Sequence, residues 1–278
     1  MDGLNPQAGN FFIDGTFGCG GHTVELAKRV GPNGFVLAVD WDEASFQRAE
    51  ISSGLTKRIR TVVGNYADLP MILAKEKLGQ ADGLLLDLGL SSDQLEESGR
   101  GFSFQKNEPL LMTYSNASTP VSDLLRSISE GELAEIIKKY SDEKFAKRIA
   151  KAIKAHQPMT TSKQLADVIA AAVPKNYERG RIHPATRTFM AIRIYANQEL
   201  ENLERLLKQL PAIVKPGGRT AIISFHSAED RIVKNYFRDY AKSKQMQIIT
   251  KKLITATTEE QAANPRSRSA KLRVAAII

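Results

Sequence analysis

The chain has 278 residues, of which 42% are hydrophobic and 25% are charged. This composition is typical of a soluble globular protein and excludes a disordered chain, a collagen and a disulfide scaffold. The length predicts two domains, or one domain with a large insertion. Because Cys19 is the only cysteine, neither an internal disulfide nor a cysteine-based zinc site can form, and we predict no metal.

The chain shows no sign of export or of membrane insertion. No apolar run approaches the about 20 residues that span a bilayer. The first residues lack a basic region followed by an apolar stretch, which a signal peptide would require. We therefore expect a protein of the reducing cytoplasm without a membrane partner.

The positive charge lies at the C-terminal end. The net charge is +8, and residues 231–278 hold 11 basic and 3 acidic side chains, so the rest of the chain is neutral. This asymmetry indicates either a polyanionic partner such as nucleic acid or a solvated tail. If it contacts phosphates, the candidates are Arg266, Arg268, Lys271 and Arg273.

Strand and helix signals alternate over the first part of the chain. Apolar runs that are continuous predict strands buried on both faces. Such alternation indicates a parallel sheet with helices on both sides. Strands are predicted at 11–14, 35–40, 59–63 and 83–87, and helices at 23–30, 43–52 and 68–78.

The alternation breaks after residue 87. We predict a long functional loop over 88–120, followed by helices that include a capping box at Ser129 and Glu132. One long helix over 185–210 is expected to return the chain to the sheet. A strand at 220–225, a helix at 228–240 and a hairpin of 248–253 with 272–278 complete it. The predicted division is a core at 1–104, an all-helical insertion at 105–185 and a second core segment at 186–278.

A glycine-rich turn follows the first strand. Residues 12–22 read FIDGTFGCGGH, a pattern in which the backbone can approach a ligand and the next helix offers N–H groups to an anion. Asp40 ends the next strand, where an acid would bind ribose hydroxyls. A dinucleotide fingerprint requires a third glycine where this chain has Thr23. The turn, with Asp14 as its acid, therefore favours an S-adenosylmethionine site over an NAD site, which stays the alternative.

Five further blocks resemble one family, the bacterial ribosomal RNA small subunit methyltransferase H or MraW-like family. They are DGLLLDLGLSSDQL at 82–95, RGFSF at 100–104, HPATRTF at 183–189, SFHSAEDRIVK at 224–234 and NPRSRSAKLR at 264–273. The resemblance implies a Rossmann-like α/β methyltransferase sheet with an inserted all-helical domain that recognises the substrate. It also implies S-adenosylmethionine-dependent N4-methylation of a cytidine in the decoding region of 16S rRNA. The partner would be 16S rRNA in the small ribosomal subunit, and a homodimer is possible.

Position in the predicted sheet gives the catalytic candidates, and the same resemblance implies the cofactor contacts. Asp87 is expected to orient the cofactor and the target amine, since it ends the fourth predicted strand. His226 is the second catalytic candidate, with a structural hydrogen bond as the alternative. The implied cofactor contacts are Gly20, Gly21 and His22 at the methionine end, Asp40 on the ribose, Tyr66 at the adenine, and Asp87 and Gln94.

Two departures from the family pattern raise another hypothesis. An upstream His-x-Pro-Val-Leu segment usual in the family does not precede the glycine turn. Leu111 and Thr113 stand where the family usually has an acid and an arginine. The alternative to an active enzyme is therefore a relative that binds cofactor and rRNA without turnover.

Overall fold

A computed structural model describes residues 1–177 and 182–278. These residues form two compact units, one made of Met1–Gly89 and Leu200–Ile278 and the other of Leu90–Glu199. The second unit extends beyond the predicted insertion bounds of 105 and 185 on both sides. The reason is packing, because Phe102 before the predicted start and Ile192 after the predicted end are buried in its core. Residues 178–181, within the predicted insertion, lie outside the described residues.

The first unit is built on one sheet with the strand order β3-β2-β1-β4-β5-β8-β6, and β7 also pairs with β8. Strands β1 to β5 pair in parallel, while β8 runs antiparallel to β5, β6 and β7. The predicted α/β fold is confirmed. The strands are β1 Phe11–Asp14, β2 Phe35–Asp40, β3 Ile59–Val63, β4 Ala81–Asp87, β5 Val214–Ser224, β6 Met246–Ile248, β7 Ile254–Thr255 and β8 Lys271–Ile277.

Helices cover both faces of this sheet. Val36 and Leu37 are consecutive in β2, yet they belong to separate apolar clusters on opposite faces. This explains why the strand is continuously apolar. The helices of the chain are α1 Gly21–Arg29, α2 Glu43–Arg48, α3 Ser53–Thr56, α4 Leu69–Lys75, α5 Ser92–Glu96, α6 Val121–Ser127, α7 Glu130–Ser141, α8 Ala146–Ala155, α9 Ser162–Ala172, α10 Thr186–Ala196, α11 Glu199–Ile213, α12 Ser227–Lys242 and α13 Thr258–Ala263.

The second unit is helical and has its own core. Leu125, Leu133, Ile149 and Ile169 contribute one fully buried side chain each from α6, α7, α8 and α9. The predicted capping box is present, with the Ser129 hydroxyl accepting from the Glu132 N–H at 3.2 Å. No helix in the described part of the chain combines the length and apolarity needed to cross a membrane.

Three predicted elements were wrong in detail. The long helix over 185–210 is two helices, because Gln198 has a φ of +50° between α10 and α11. The predicted loop over 88–120 contains α5. The strand predicted at 248–253 is replaced by β6 and β7, which pair with different parts of β8. The helix break carries neither glycine nor proline, and its local signal is Asn197, the C-cap of α10.

Candidate active site

Three acidic residues end neighbouring strands of the parallel sheet. Asp14, Asp40 and Asp87 are the last residues of β1, β2 and β4. Strand β1 lies between the other two, at the point where the strand order reverses. In open α/β sheets this carboxyl edge at the reversal is where ligands bind. The first unit therefore places the predicted candidates at the edge expected of a binding site.

The glycine turn between β1 and α1 has a conformation that needs its glycines. Gly20 has a φ of +80°, and a Cβ added there would lie 2.9 Å from the Phe17 ring. Gly21 differs, because a Cβ built on it meets no heavy atom within 4 Å among the described residues. Helix α1 starts at Gly21 without a side-chain cap in the described structure and without an acid in its first turn. This N-terminus can thus receive an anionic group.

Asp14 is fully buried and organises the start of α1. Its carboxylate accepts a 2.6 Å hydrogen bond from the Thr23 hydroxyl and a 3.2 Å bond from the Thr16 N–H. Burial raises the pKa of Asp14, and the bond from Thr23 opposes that rise. Thr23, which replaces the third glycine of a dinucleotide fingerprint, is therefore the hydrogen-bond partner of Asp14.

Asp40 binds the same turn from the neighbouring strand. Its two oxygens each accept one 2.8 Å bond, from the Gly18 N–H and from the Asp42 N–H. Burial raises the pKa of Asp40 to about 6, although both backbone bonds act to lower it. Each carboxylate oxygen has a second lone pair, so Asp40 can still accept hydrogen bonds from a diol.

The two carboxylate oxygens of Asp87 differ, because one lies next to His22 and the other has no hydrogen-bond partner in the described structure. Its Oδ2 lies 3.4 Å from His22 Nε2, and this bond raises the pKa of His22 above its ordinary value of 6.5. Its Oδ1 is buried and has no hydrogen-bond partner in the described part of the chain. A buried carboxylate oxygen without a donor is unfavourable, so this atom indicates that a donor comes from a ligand.

Thr16 is a residue that the sequence analysis missed. Its hydroxyl accepts a 2.6 Å hydrogen bond from the Asp87 N–H, and its own N–H bonds Asp14. Thr16 thereby joins the ends of β1 and β4. Its position between the acid and the glycines of the turn was visible, but its partner lies 71 residues away and could not be read from spacing.

Tyr66 and His226 lie at the ends of the two outer parallel strands. Tyr66 follows β3, is partly buried, and its Cβ would be 3.2 Å from a Cβ on Gly15. His226 is the N-cap of α12, and its Nδ1 accepts from the Glu229 N–H at 3.4 Å. Its Nε2 lies 3.1 Å from Glu229 Oε1. These contacts give His226 a structural role, and its catalytic role stays a prediction.

Gln94 belongs to the helical unit. It is buried, and its side-chain oxygen accepts a 3.1 Å bond from the Ser91 N–H in the capping box of α5. The described structure thus gives the Gln94 oxygen a local partner. A cofactor contact from Gln94 stays a prediction.

The basic C-terminal candidates differ in their surroundings. Arg273 lies on β8 and forms a bidentate pair with Asp230, at 2.7 and 3.2 Å. The charge of Arg273 is therefore neutralised within the fold, whereas a residue that binds phosphate would be expected to have an available charge. Arg266 and Arg268 flank the buried Ser267 and are exposed.

Comparison with known proteins decides the family. The model of the MraW methylase family matches residues 1–278. The chain belongs to the MraW methylase family. It is 42% identical to "Ribosomal RNA small subunit methyltransferase H" of Trichlorobacter lovleyi, with 99% of this chain and 94% of that protein covered. It is 44% identical to the protein of the same name from Syntrophus aciditrophicus, with 98% and 93% covered.

Membership in the MraW methylase family confirms the resemblance and the prediction of a methyltransferase. A solved rRNA methylase from Streptococcus thermophilus has a TM-score of 0.44 and 10% identity, covering 100% of this chain and 90% of that chain.

Proposed function

We propose that the chain transfers a methyl group from S-adenosylmethionine to N4 of a cytidine in the decoding region of 16S rRNA. The observation that carries the proposal is the buried Asp87 Oδ1, which lacks a donor in the described residues at the carboxyl edge of β4. The substrate class comes from the MraW relatives, which are named as small subunit rRNA methyltransferases.

The residues of the first unit fit this cofactor. The start of α1 at Gly21 suits the methionine carboxylate, since its N–H groups have no side-chain cap in the described structure. Asp40 suits the ribose hydroxyls, because its carboxylate can accept two further bonds. Tyr66 has the aromatic face that an adenine would stack on.

The charge of the edge supports S-adenosylmethionine over NAD. Asp14, Asp40 and Asp87 end adjacent strands, and the one basic side chain paired with an acid of this set in the described structure is His22, which lies 3.4 Å from Asp87. Carboxylates attract the positive sulfonium of S-adenosylmethionine and repel the pyrophosphate of a dinucleotide. Thr23 fills the place of the third dinucleotide glycine and bonds Asp14. Both features favour the methyl donor.

The chemistry assigned to Asp87 is positioning. The cytosine amine is conjugated with its ring and is a poor nucleophile, so a hydrogen bond from it to Asp87 Oδ1 would localise its lone pair. S-adenosylmethionine, when bound, supplies the electrophilic methyl carbon. The amine proton can leave after the transfer, so no strong base is required beforehand. The target base must be unstacked from the RNA to reach this edge.

The proposed function also fixes the setting of the protein. Its partner is 16S rRNA in the small ribosomal subunit, and its place is the cytoplasm, where ribosomes are assembled. A homodimer stays a prediction that sedimentation analysis would test.

The test uses labelled S-adenosylmethionine with 30S subunits from a strain that lacks this modification. The rRNA is digested, and N4-methylcytidine is measured by mass spectrometry. Wild-type protein is expected to place the label in that nucleoside. Asp87→Asn is expected to bind the cofactor and lose about 100-fold in turnover, because a misplacement of about 1 Å at the reacting centre can cost that much.

Asp68→Asn is the matched control, since Asp68 is a partly exposed acid of the same unit that pairs with Arg205 at 2.9 Å. It should retain full turnover. Full turnover by Asp87→Asn would remove Asp87 from the mechanism. Cofactor binding by the wild type without any methyl transfer would favour the inactive relative that the changes at Leu111 and Thr113 suggest.

A further inference from the structure

Helix α8 of the helical unit concentrates positive charge. The sequence from Lys144 to Ala166 has six basic residues and no acidic residue. Helix α8 buries Ile149 and Ile153 in the core of the unit. The helical repeat therefore places its cations away from the buried face of the helix.

Two of these cations are used by the fold. Lys154 donates to the carbonyls of Leu125, Arg126 and Ile128 at 2.9, 3.1 and 2.7 Å. Lys144 lies over the rings of Phe145 and Tyr177, at 5.5 and 5.0 Å from their centroids. Each of these charges has a stabilising partner, so neither requires a ligand.

Three others, all on α8, have no such partner, and the sixth cation, Lys163, lies on α9. Lys147, Arg148 and Lys151 are exposed, and none of them has a hydrogen bond or ion pair among residues 1–177 and 182–278. We call these three residues the α8 basic face. Lys147 and Lys151 are four residues apart, and Arg148 and Lys151 are three apart, so like charges are neighbours on the helix surface.

The α8 basic face opposes the stability of its own helix. Lys147 and Arg148 lie in the first turn, where the helix dipole is positive and acidic side chains would be favourable. The helix has no acid in that turn and no side-chain cap within the described residues. The charges of these side chains therefore do not stabilise the helix, whereas an anionic partner would remove the repulsion.

Building on the proposed function, we propose that the α8 basic face binds the phosphate backbone of the rRNA substrate. Arg148 offers a planar fork that matches a phosphate, and the flanking lysines add flexible point charges. The exposed positions of α8 carry cations and alanine, and cations that contact phosphates position a protein on nucleic acid of any sequence. The contact therefore contributes affinity and orientation without sequence preference.

The test is the triple variant Lys147→Gln, Arg148→Gln and Lys151→Gln, assayed for binding to 30S subunits that lack the modification over a range of salt concentrations. Loss of three phosphate contacts predicts binding that is about 100-fold weaker at about 0.1 M salt, with a log–log salt slope shallower by about 2 to 3. Affinity for S-adenosylmethionine should be unchanged. The melting temperature should equal or exceed that of the wild type, because repulsion is removed.

Lys163→Gln is the matched control, because Lys163 is an exposed lysine on α9 of the same unit, four residues before Asp167. It should bind like the wild type. If the triple variant melts lower, the three single variants carry the test, each with a slope change of about 0.7 to 0.9. This proposal alone is overturned if the wild type binds tightly and the triple variant binds equally well. It is also overturned if the triple variant binds more weakly but with the salt slope of the wild type. Wild-type protein that does not bind 30S subunits overturns the proposed function together with it.

Discussion

The Thr23 hydroxyl lies 2.6 Å from Asp14 Oδ2, and both residues are fully buried. This bond links the end of β1 to the first turn of α1 across the glycine turn. It lowers the pKa of Asp14 against the larger rise that burial causes. The conformation of the turn thus depends on a side-chain pair as well as on its glycines.

Removing the hydroxyl at Thr23 should destabilise the first unit. Thr23→Val keeps the shape but leaves the buried Asp14 carboxylate without one donor, which costs about 1–3 kcal/mol. The free energy of unfolding from urea titrations measures the loss. Thr23→Ser keeps the hydroxyl and should lose less. Equal stability of Thr23→Val and the wild type would show that the bond contributes nothing.

The two glycines at the start of α1 should respond differently to alanine. Gly20→Ala adds a Cβ at a φ of +80° and 2.9 Å from Phe17, so we expect a loss of about 1–2 kcal/mol in stability. Gly21→Ala adds a Cβ into open space and should fold normally. If the cofactor lies against this turn, Gly21→Ala should nevertheless bind it at least tenfold more weakly.

Thermal melting and calorimetry with S-adenosylhomocysteine separate these effects. A normally folded Gly21→Ala protein with unchanged affinity would place the cofactor away from the turn. The comparison is informative because the two positions are adjacent and receive the same substitution.

The sheet was predictable because its signals are local. The apolar run at Phe35–Asp40 is buried on both faces, and each predicted strand end from Asp14 to Asp87 was found at the expected residue. The break at Gln198 was missed, because its local signal is a single asparagine, Asn197, within a continuous helical pattern. Gln198 has a φ of +50° and follows Asn197. The Asn197 side chain donates to the carbonyl of Met112 and accepts from the N–H of Tyr114. These partners lie more than 80 residues away, and no periodicity reports them.

The candidate site was predictable only in part for the same reason. Spacing and resemblance pointed to Asp40 and Asp87, because strand ends gather at one edge of a parallel sheet. Neither indicated that Thr16 joins β1 to β4 or that Arg273 is neutralised by Asp230. Both are side-chain contacts between segments distant in sequence.

Cofactor binding should depend on pH through Asp40. Its pKa is raised to about 6 by burial, so the carboxylate is charged above that pH and neutral below it. If the ionised form accepts the ribose hydroxyls, affinity should be constant above about pH 7 and fall by up to about tenfold per pH unit below about pH 6. Calorimetric titration with S-adenosylhomocysteine measures this profile.

Asp40→Asn is the control for that profile. Its amide does not titrate, so binding should be weaker at neutral pH and flat across the same range. An affinity in the wild type that does not change between about pH 5 and 7 would contradict a binding role for the Asp40 carboxylate.

The His22–Asp87 pair should make stability depend on pH. The bond from Asp87 raises the pKa of His22 above 6.5, so the folded state binds the proton more tightly than the unfolded state. The stabilisation is therefore fully present below about pH 6.5 and is lost as the pH rises through the higher folded value. We expect the melting temperature of the wild type to exceed that of Asp87→Asn most at low pH, with the difference narrowing as the pH rises.

A double-mutant cycle assigns this effect to the pair. His22→Gln and Asp87→Asn should each abolish the pH-dependent part, and the double variant should lose no more of it than either single one. If the two single variants change the pH-dependent stability by amounts that add in the double variant, His22 and Asp87 are not coupled, despite the 3.4 Å between His22 Nε2 and Asp87 Oδ2. In that case another group would set the orientation of Asp87, and the Thr16 hydroxyl, which accepts from the Asp87 N–H, would be the next to substitute.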